Sequence, residues 1–408
     1  MIKIVRVWAG LLVFAVLPGC TGSPPKAAAT PAPATSPAHE PSSTELAPVP
    51  GPIPTPALPS GNPWRIDFVG SMPDWRFYDM TATGPRDAWA VGRESGSLEG
   101  APFLVRFDGV SWREQELPAD IRSLTDHYVR VAASGPDDAW LFARSNDGRR
   151  AFHWNGATWR EEPLPPASED GYGLAVVALG PRDAWAVDGT RSALRWDGRS
   201  WRRVRLPAVA NSISAVSPGD IWAVGSKAPG PGQPRYPQMA GMHWDGRSWR
   251  LVPMPTFRFP DPVPSLAFAV LDSVVALAPD DVWASGKHDY DAHGESDDEP
   301  EPESVLLHWD GDRWRRVASP ASEDCCLWMI SDGAGGLFLK GDLDEYSGWR
   351  RTGRSFTPVE QVPYVFGSED SSLIVGSMAA APGTGPLWMA GYADAGRYGE
   401  RPVIVRYR

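Results

Sequence analysis

The sequence predicts an all-β chain folded as a seven-bladed β-propeller, four antiparallel strands to each blade, with the ring closed by an N-terminal strand. Three observations predict it. A unit of about 45 residues, whose centre reads DAWAVDGTRSALRWDGRSWRRVRLP from Asp183 to Pro207, returns along most of the chain. The 20 tryptophans recur at fixed places in that unit instead of scattering. The last copy of the unit lacks a fourth strand, which the start of the repeat region supplies.

Each copy opens on a β-rich run: FYDMTAT, YVRVAAS, GLAVVAL, SISAVS or VLDSVVALA. A turn follows at Pro85-Arg86-Asp87, Pro136-Asp137-Asp138, Pro181-Arg182-Asp183, Pro218-Gly219-Asp220 or Pro279-Asp280-Asp281. Proline presets the second position of a type I turn and aspartate hydrogen-bonds nearby backbone, so each is a hairpin. The second strand, AWAVG, AWLFA, AWAVD, IWAVG or VWASG, is apolar enough to be buried. After a variable loop, LVRFDG, AFHWNG, ALRWDG, GMHWDG or LLHWDG ends in Asp-Gly or Asn-Gly, which favours a tight turn. The fourth strand opens on Trp112, Trp159, Trp201, Trp249 or Trp314, each followed by Arg. Repeated four-stranded units of this length are the signature of propeller blades.

Two stretches complete the count. Cys326 to Pro363 is a degenerate blade in which Gly335-Gly336-Leu337-Phe338 replaces the turn and tryptophan; if it is an insertion, the ring has six blades. Ser371 to Arg408 supplies strands around SLIVGSMAA, LWMAG and VIVRYR, then stops. The stretch Asn62 to Phe68, NPWRIDF, has the form of SWRRVR at Ser200 to Arg205 and completes this last blade, removing the free edges of an open array.

The tryptophans of the second strands (Trp89, Trp140, Trp185, Trp222, Trp283, Trp388) and of the fourth (Trp64, Trp112, Trp159, Trp201, Trp249, Trp314) read as packing residues between blades. The arginines after the fourth-strand tryptophans, among them Arg113, Arg202 and Arg250, read as charge on an outer edge that discourages edge-to-edge pairing.

Before the repeats, residues 1–19 carry two cations and an apolar run too short to span a bilayer, then Leu17-Pro18-Gly19-Cys20. This is a secretion signal, and it resembles a bacterial lipoprotein lipobox. That resemblance implies cleavage before Cys20 and acylation of its thiol; the alternative is a plain secretory signal with an incidental cysteine. Thr21 after the cysteine implies, by the same resemblance, an outer-membrane or cell-surface location in the cell envelope. Residues 20–63 are rich in Pro, Ala, Ser and Thr and cannot bury a core. At roughly 3 Å per residue they form a tether of up to about 130 Å. Residues 64–408 are the propeller.

The formal charge of −11 argues against nucleic acid or anionic membrane surface as partners, leaving the lipid as the only membrane contact. A monomer is expected. Cys325 and Cys326 are neighbours, so they form either a strained vicinal disulfide or two small buried thiols.

From Trp64 to Arg408 the D-x-W-A-V-G and W-D-G-x-x-W repeats resemble secreted bacterial propellers grouped with galactose-oxidase/kelch-like and Asp-box/sialidase-like proteins. The W-D-G-R-S-W segment is similar to an Asp-box one residue shorter between Asp and Gly; in that family such boxes are structural turns, so the likeness implies fold and not activity.

The P-x-D and D-G turns lie on one face and are uniform. The second-to-third-strand loops and blade connections lie on the other and diverge, which is where binding is expected. Candidate ligand-binding residues there are Trp75, His127, Tyr172, Arg235, Tyr236, Tyr290, Trp328, Tyr346, Arg397 and Tyr398. The acidic loop Gly286 to Ser304 offers His288, Asp289, Asp291 and His293 to a divalent cation, calcium or zinc, although a solvated acidic loop explains the same residues. No cofactor is otherwise expected. The leading function is a non-catalytic binding or scaffold module for a protein, peptide or glycan. The alternatives are a carbohydrate-acting enzyme of sialidase, lyase or galactose-oxidase kind, and a redox or metal sensor built on Cys325, Cys326 and the His-Asp loop. No catalytic residues identify themselves.

Overall fold

The computed structural model describes residues 56, 58–95, 102–117, 121, 128–145, 148–167, 171, 174–228, 236–259, 267–289, 303–320, 327–341, 348–383 and 386–407. The chain divides into two units, Met1–Val49 and Pro50–Arg408, and all of these residues belong to the second. Among them no helix is long and apolar enough to cross a membrane.

The strands form seven four-stranded antiparallel sheets. Strand β1 (Trp64–Val69) is set aside by the chain until the end. Blade 1 is β2 (Trp75–Gly84), β3 (Asp87–Glu94), β4 (Pro102–Phe107) and β5 (Trp112–Gln115). Blade 2 is β6 (Tyr128–Gly135), β7 (Asp138–Ser145), β8 (Gly148–Trp154) and β9 (Trp159–Glu162). Blade 3 is β10 (Ala175–Gly180), β11 (Asp183–Val187), β12 (Ser192–Trp196) and β13 (Trp201–Arg205). Blade 4 is β14 (Val209–Ser217), β15 (Asp220–Lys227), β16 (Gln238–Trp244) and β17 (Trp249–Val252). Blade 5 is β18 (Phe268–Ala278), β19 (Asp281–Asp289), β20 (Glu303–Trp309) and β21 (Trp314–Val317). Blade 6, the degenerate copy, is a full sheet of β22 (Leu327–Ser331), β23 (Leu337–Gly341), β24 (Gly348–Thr352) and β25 (Ser355–Val359). Blade 7 is β26 (Ile374–Ala380), β27 (Leu387–Asp394) and β28 (Glu400–Tyr407), completed by β1 in the order β1-β28-β27-β26.

The tryptophans join the blades in a regular relay. Trp89 packs on Trp154 and Trp159, Trp140 on Trp196 and Trp201, Trp185 on Trp244 and Trp249, and Trp222 on Trp309 and Trp314. Each second-strand indole thus fills the angle made by the aromatic pair across the third-to-fourth-strand turn of the next blade. The relay continues from Trp283 to Phe356 and from Trp388 to Phe107 and Trp112. The two chain ends supply one such pair between them: Trp64 opposes Tyr407 in the ladder, with ring centroids 5.0 Å apart. Trp159 and Trp249 stay partly exposed, while Trp64, Trp112, Trp201 and Trp314 are buried.

Local chemistry refines or departs from the sequence expectation in three places. The D-G segment is the expected tight turn, four residues long. Asp108 Oδ1 accepts from the amides of Val110 and Ser111, both at 2.9 Å, between the paired residues Phe107 and Trp112. Asn155, Asp197, Asp245 and Asp310 repeat this. Secondly, the aspartate of P-x-D does not bond within its turn. Asp87 accepts from Thr83 Oγ1 at 2.5 Å and from Arg106, and Asp138 meets Ser134 and His153, because the third strand places Arg or His opposite. Thirdly, the edge arginines pair with the turn aspartates: Arg113 with Asp108, Arg202 with Asp197 and Arg250 with Asp245, at 3.0 to 3.2 Å. They remain largely exposed, so each pair contributes little.

Candidate functional site: the loop-face mouth of the channel

The innermost strands β2, β6, β10, β14, β18, β22 and β26 surround the central channel. Each runs toward its hairpin turn, so its first half stands at the loop face. Four of them carry a bulge in that half. One extra residue is inserted opposite a glycine of the second strand: Tyr78 opposite Gly92, Asn211 opposite Gly225, Asp272 opposite Gly286, and Gly376 opposite Gly391.

The glycines have a physical reason to be there. A Cβ on Gly92 would lie 2.3 Å from Arg76 O, on Gly225 2.2 Å from Val209 O, on Gly286 2.0 Å from Val270 O and on Gly391 1.8 Å from Ile374 O. The bulge folds a carbonyl over the neighbouring strand where only glycine leaves room. Blade 2 has Ala143 at this place and β6 runs past it unbulged, while in blade 3 the ladder begins with Ala175 opposite Val187, one residue short of Asp188.

A cavity of about 470 Å³ opens among these strands, lined by Tyr78, Asp79, Arg130, Asp272, Trp328 and Ser377 with neighbouring backbone. A second, of about 310 Å³, continues along the inner strands of blades 1 to 3 and shares Asp79 and Arg130.

Asp79 ties three blades together. Its Oδ2 accepts from the Val131 amide at 2.8 Å in blade 2, and its Oδ1 from Ser377 Oγ at 3.2 Å in blade 7. Burial pushes its carboxyl above the ordinary value; the Arg130 guanidinium and these hydrogen bonds pull the other way. The side chain keeps some accessible surface because it borders the channel, although protein surrounds it.

Arg130 donates through Nε to Leu174 O at 3.2 Å and through Nη1 to Val129 O at 3.3 Å. Among the described residues its Nη2 has no hydrogen-bond partner. Asp272 is also raised by burial, opposed by Lys287 and by the Asn211 amide, which reaches its Oδ1 at 3.3 Å. Trp328 is 41% exposed, with the Lys340 ammonium 5.8 Å from its ring.

The sequence-predicted residues fall in different places. Trp328 lines the mouth. Trp75 begins β2 and packs at 4.7 Å against Phe103. Tyr236 packs at 5.6 Å against Phe259. Arg397 and Tyr398 form a pair, Nη2 to OH 2.7 Å, in the loop between β27 and β28. His288 is buried against Phe257 and Phe259, its Nδ1 3.3 Å from Glu303 Oε2. Asp289 is the next residue of the same strand and points to the opposite face, so the two do not converge on one ion. Cys20, His127, Tyr172, Arg235, Tyr290, Asp291, His293, Cys325, Cys326 and Tyr346 lie outside the described residues. Among the described residues no three His, Cys, Asp or Glu side chains gather to hold a metal ion.

Sequence reasoning missed Tyr78, Asp79, Arg130 and Asp272. One signal could have found two of them. The glycine ending D-x-W-A-V-G in some copies and not others marks the blades that bulge, and the bulge residue is Tyr78 or Asp272.

No protein-family model and no curated protein matches the chain in sequence. Solved propellers match its fold. A structure of YCF48 bound to D1 peptide is 15% identical, with a TM-score of 0.52 over 87% of this chain and 99% of the other. YCF48 from Cyanidioschyzon merolae is 16% identical, with a TM-score of 0.53 over 85% of this chain and 98% of the other. At these identities the likeness is one of fold alone.

Proposed function

We propose that this chain is a non-catalytic binding module that takes a polypeptide segment at the loop-face mouth of its channel. The observation that carries the reading is the cavity in which Trp328 stands exposed beside Arg130, Tyr78 and Asp272. An exposed indole on a rigid inner strand is an anchor for an apolar side chain, and a guanidinium with an open Nη2 is a donor for a main-chain carbonyl. The YCF48 structure that resembles this fold holds a D1 peptide, which supports a peptide ahead of a glycan.

The N-terminal residues support anchoring of the module in the cell envelope, at the outer membrane or cell surface, through acylated Cys20 and the tether 20–63, as a monomer. Strand β1 begins at Trp64 opposite Tyr407, beside the turn-face start of β27 at Leu387. Trp64, the first residue of the propeller, therefore stands on the turn face, and the mouth opens on the other. Metabolic labelling with a fatty acid tests the anchor: the wild-type chain takes up label and Cys20→Ser does not, whereas equal labelling would contradict it.

One observation favours the enzyme reading. Asp79 and Asp272 both line the cavity and both are raised, as acid–base groups are. Against it, both oxygens of Asp79 already accept hydrogen bonds, and among the described residues one arginine borders the cavity where a sialidase-like site would need three. Peptide and glycan arrays probed with the full-length chain separate these. The expected result is retention of peptides, weakened about tenfold by Trp328→Ala or Arg130→Ala. Capture or turnover of a glycan would overturn the reading.

A further inference from the structure

We propose that a second recognition subsite lies on the loop face where the ring closes, between blades 7 and 1, and binds the stretch of peptide that leaves the channel mouth. It rests on the reading of the mouth as a peptide site and extends it to an elongated ligand with an apolar or aromatic side chain outside the channel.

Three segments meet at this seam: Gly70 to Asp74, which joins β1 to β2, Ser95 after β3, and Ala395 to Gly399 with Glu400, the first residue of β28. Asp74 pins them. Its amide donates to Glu400 O at 2.8 Å, its carbonyl accepts from Ser95 N at 2.5 Å, and its Oδ1 accepts from Glu400 N at 3.3 Å. Among the described residues Asp74 is the one non-glycine with positive φ, at 61°. A Cβ on Gly399 would sit 2.8 Å from Asp74 Oδ1, so the loop closes around this carboxylate only because glycine is there. Aspartate tolerates this left-handed conformation better than most residues, and its three hydrogen bonds hold the loop in place.

The side chains this frame presents are those that dominate binding surfaces. Met72 is 49% exposed. Arg397 and Tyr398 are stacked, guanidinium carbon to ring centroid 4.9 Å. Arg76 lies 4.0 Å from the Tyr392 ring and is neutralised by Glu400, Nε and Nη2 each 2.5 Å from a carboxylate oxygen. Methionine, tyrosine and arginine are enriched in interface centres, and a salt bridge satisfied beforehand removes the cost of burying its charges. The patch is continuous with the mouth through Tyr78, which lines the cavity and carries 5.2 Å from its ring the guanidinium of Arg93, the residue opposite Arg76 in the ladder.

The seam exists because an N-terminal strand completes the last blade. A ligand lying across it contacts both sides of the closure and stabilises the closed ring by mass action.

The test selects peptides from a displayed library of random short sequences on the full-length chain. Their affinity is then measured for wild type, Met72→Asp, Tyr398→Ala and Trp328→Ala, together with the thermal midpoint with and without peptide. Each variant is expected to bind about tenfold more weakly, with the free chain's midpoint unchanged for the two seam variants and the peptide-induced rise reduced. If Trp328→Ala weakens binding and both seam variants stay within about twofold of wild type, the subsite is overturned and the mouth stands. If none of the three weakens binding, or no peptide is selected, both readings fall.

Discussion

The imidazole of His153 lies flat on the indole of Trp140, ring centroids 4.1 Å apart and planes 8° from parallel, with its Nε2 2.6 Å from Asp138 Oδ1. His243 on Trp222 and His308 on Trp283 repeat the arrangement, and in blades 1 and 3 an arginine takes the place of the histidine. Arg106 lies 4.4 Å from the Trp89 ring and Arg195 5.0 Å from that of Trp185. The alternation gives a prediction. His153→Ala removes a stacked ring and a hydrogen bond and should cost about 2 kcal/mol. His153→Arg should cost less than about half of that, since two blades already use arginine there. Urea unfolding checks both; equal losses would show that His153 matters for its volume alone.

Closure of the ring depends on Asp67. Its Oδ2 accepts from Trp388 Nε1 at 3.0 Å and from Arg406 Nε at 3.0 Å, so the N-terminal strand supplies the aspartate that the other blades take from their own turns. Asp67→Ala leaves a largely buried guanidinium and an indole N–H without their acceptor, and should cost about 3 kcal/mol. Hydrogen exchange should show β28 losing protection before β11. Uniform loss across all blades would contradict a local closure role.

Gly286→Ala puts a methyl against the carbonyl of Val270 and should cost about 2 kcal/mol or more, either by strain or by loss of the bulge that presents Asp272. The reciprocal change Ala143→Gly in unbulged blade 2 should cost about 1 kcal/mol, from backbone entropy and lost packing. Chemical denaturation of the two variants measures the difference; a harmless Gly286→Ala would remove the steric explanation of the D-x-W-A-V-G glycine.

Acid stability has a defined sign. Asp310 is held at about 2, below its ordinary 3.8, chiefly by the backbone N–H of Arg313, with further bonds from Asp312 and Arg315. A depressed carboxyl contributes stability that is present above about pH 4 and lost as pH falls toward about 2. Asp79 and Asp272 are raised, so they act oppositely and favour the fold as pH falls from neutrality into the carboxylate range. Asp310→Asn keeps a backbone acceptor, as Asn155 does in blade 2, but not the charge, so it should lower the neutral midpoint modestly and flatten the loss between about pH 4 and 2. A steeper acid loss in the variant would contradict this.

The blades were legible because their signals are local. Turn residues, period-two alternation and tryptophan spacing all act within one copy, and NPWRIDF at the other end of the domain matched a missing strand. The mouth was not, because no two of its charged side chains come from the same blade: Asp79, Arg130 and Asp272 sit far apart in sequence and look like ordinary inner-strand polar residues. Trp328 was visible only as a tryptophan outside the repeat positions. Arg113 and its equivalents looked free to protect an edge, because their ion pairs with the turn aspartates depend on how the four-residue turn folds back beside the fourth strand.

The most direct measurement is fluorine NMR of the full-length chain labelled with 5-fluorotryptophan, the Trp328 signal being assigned by its loss in Trp328→Phe, during titration with a selected peptide. Binding at the mouth predicts that the Trp328 resonance shifts while those of buried Trp89, Trp140 and Trp185 stay in place. A bound peptide that leaves the Trp328 resonance unmoved would contradict it.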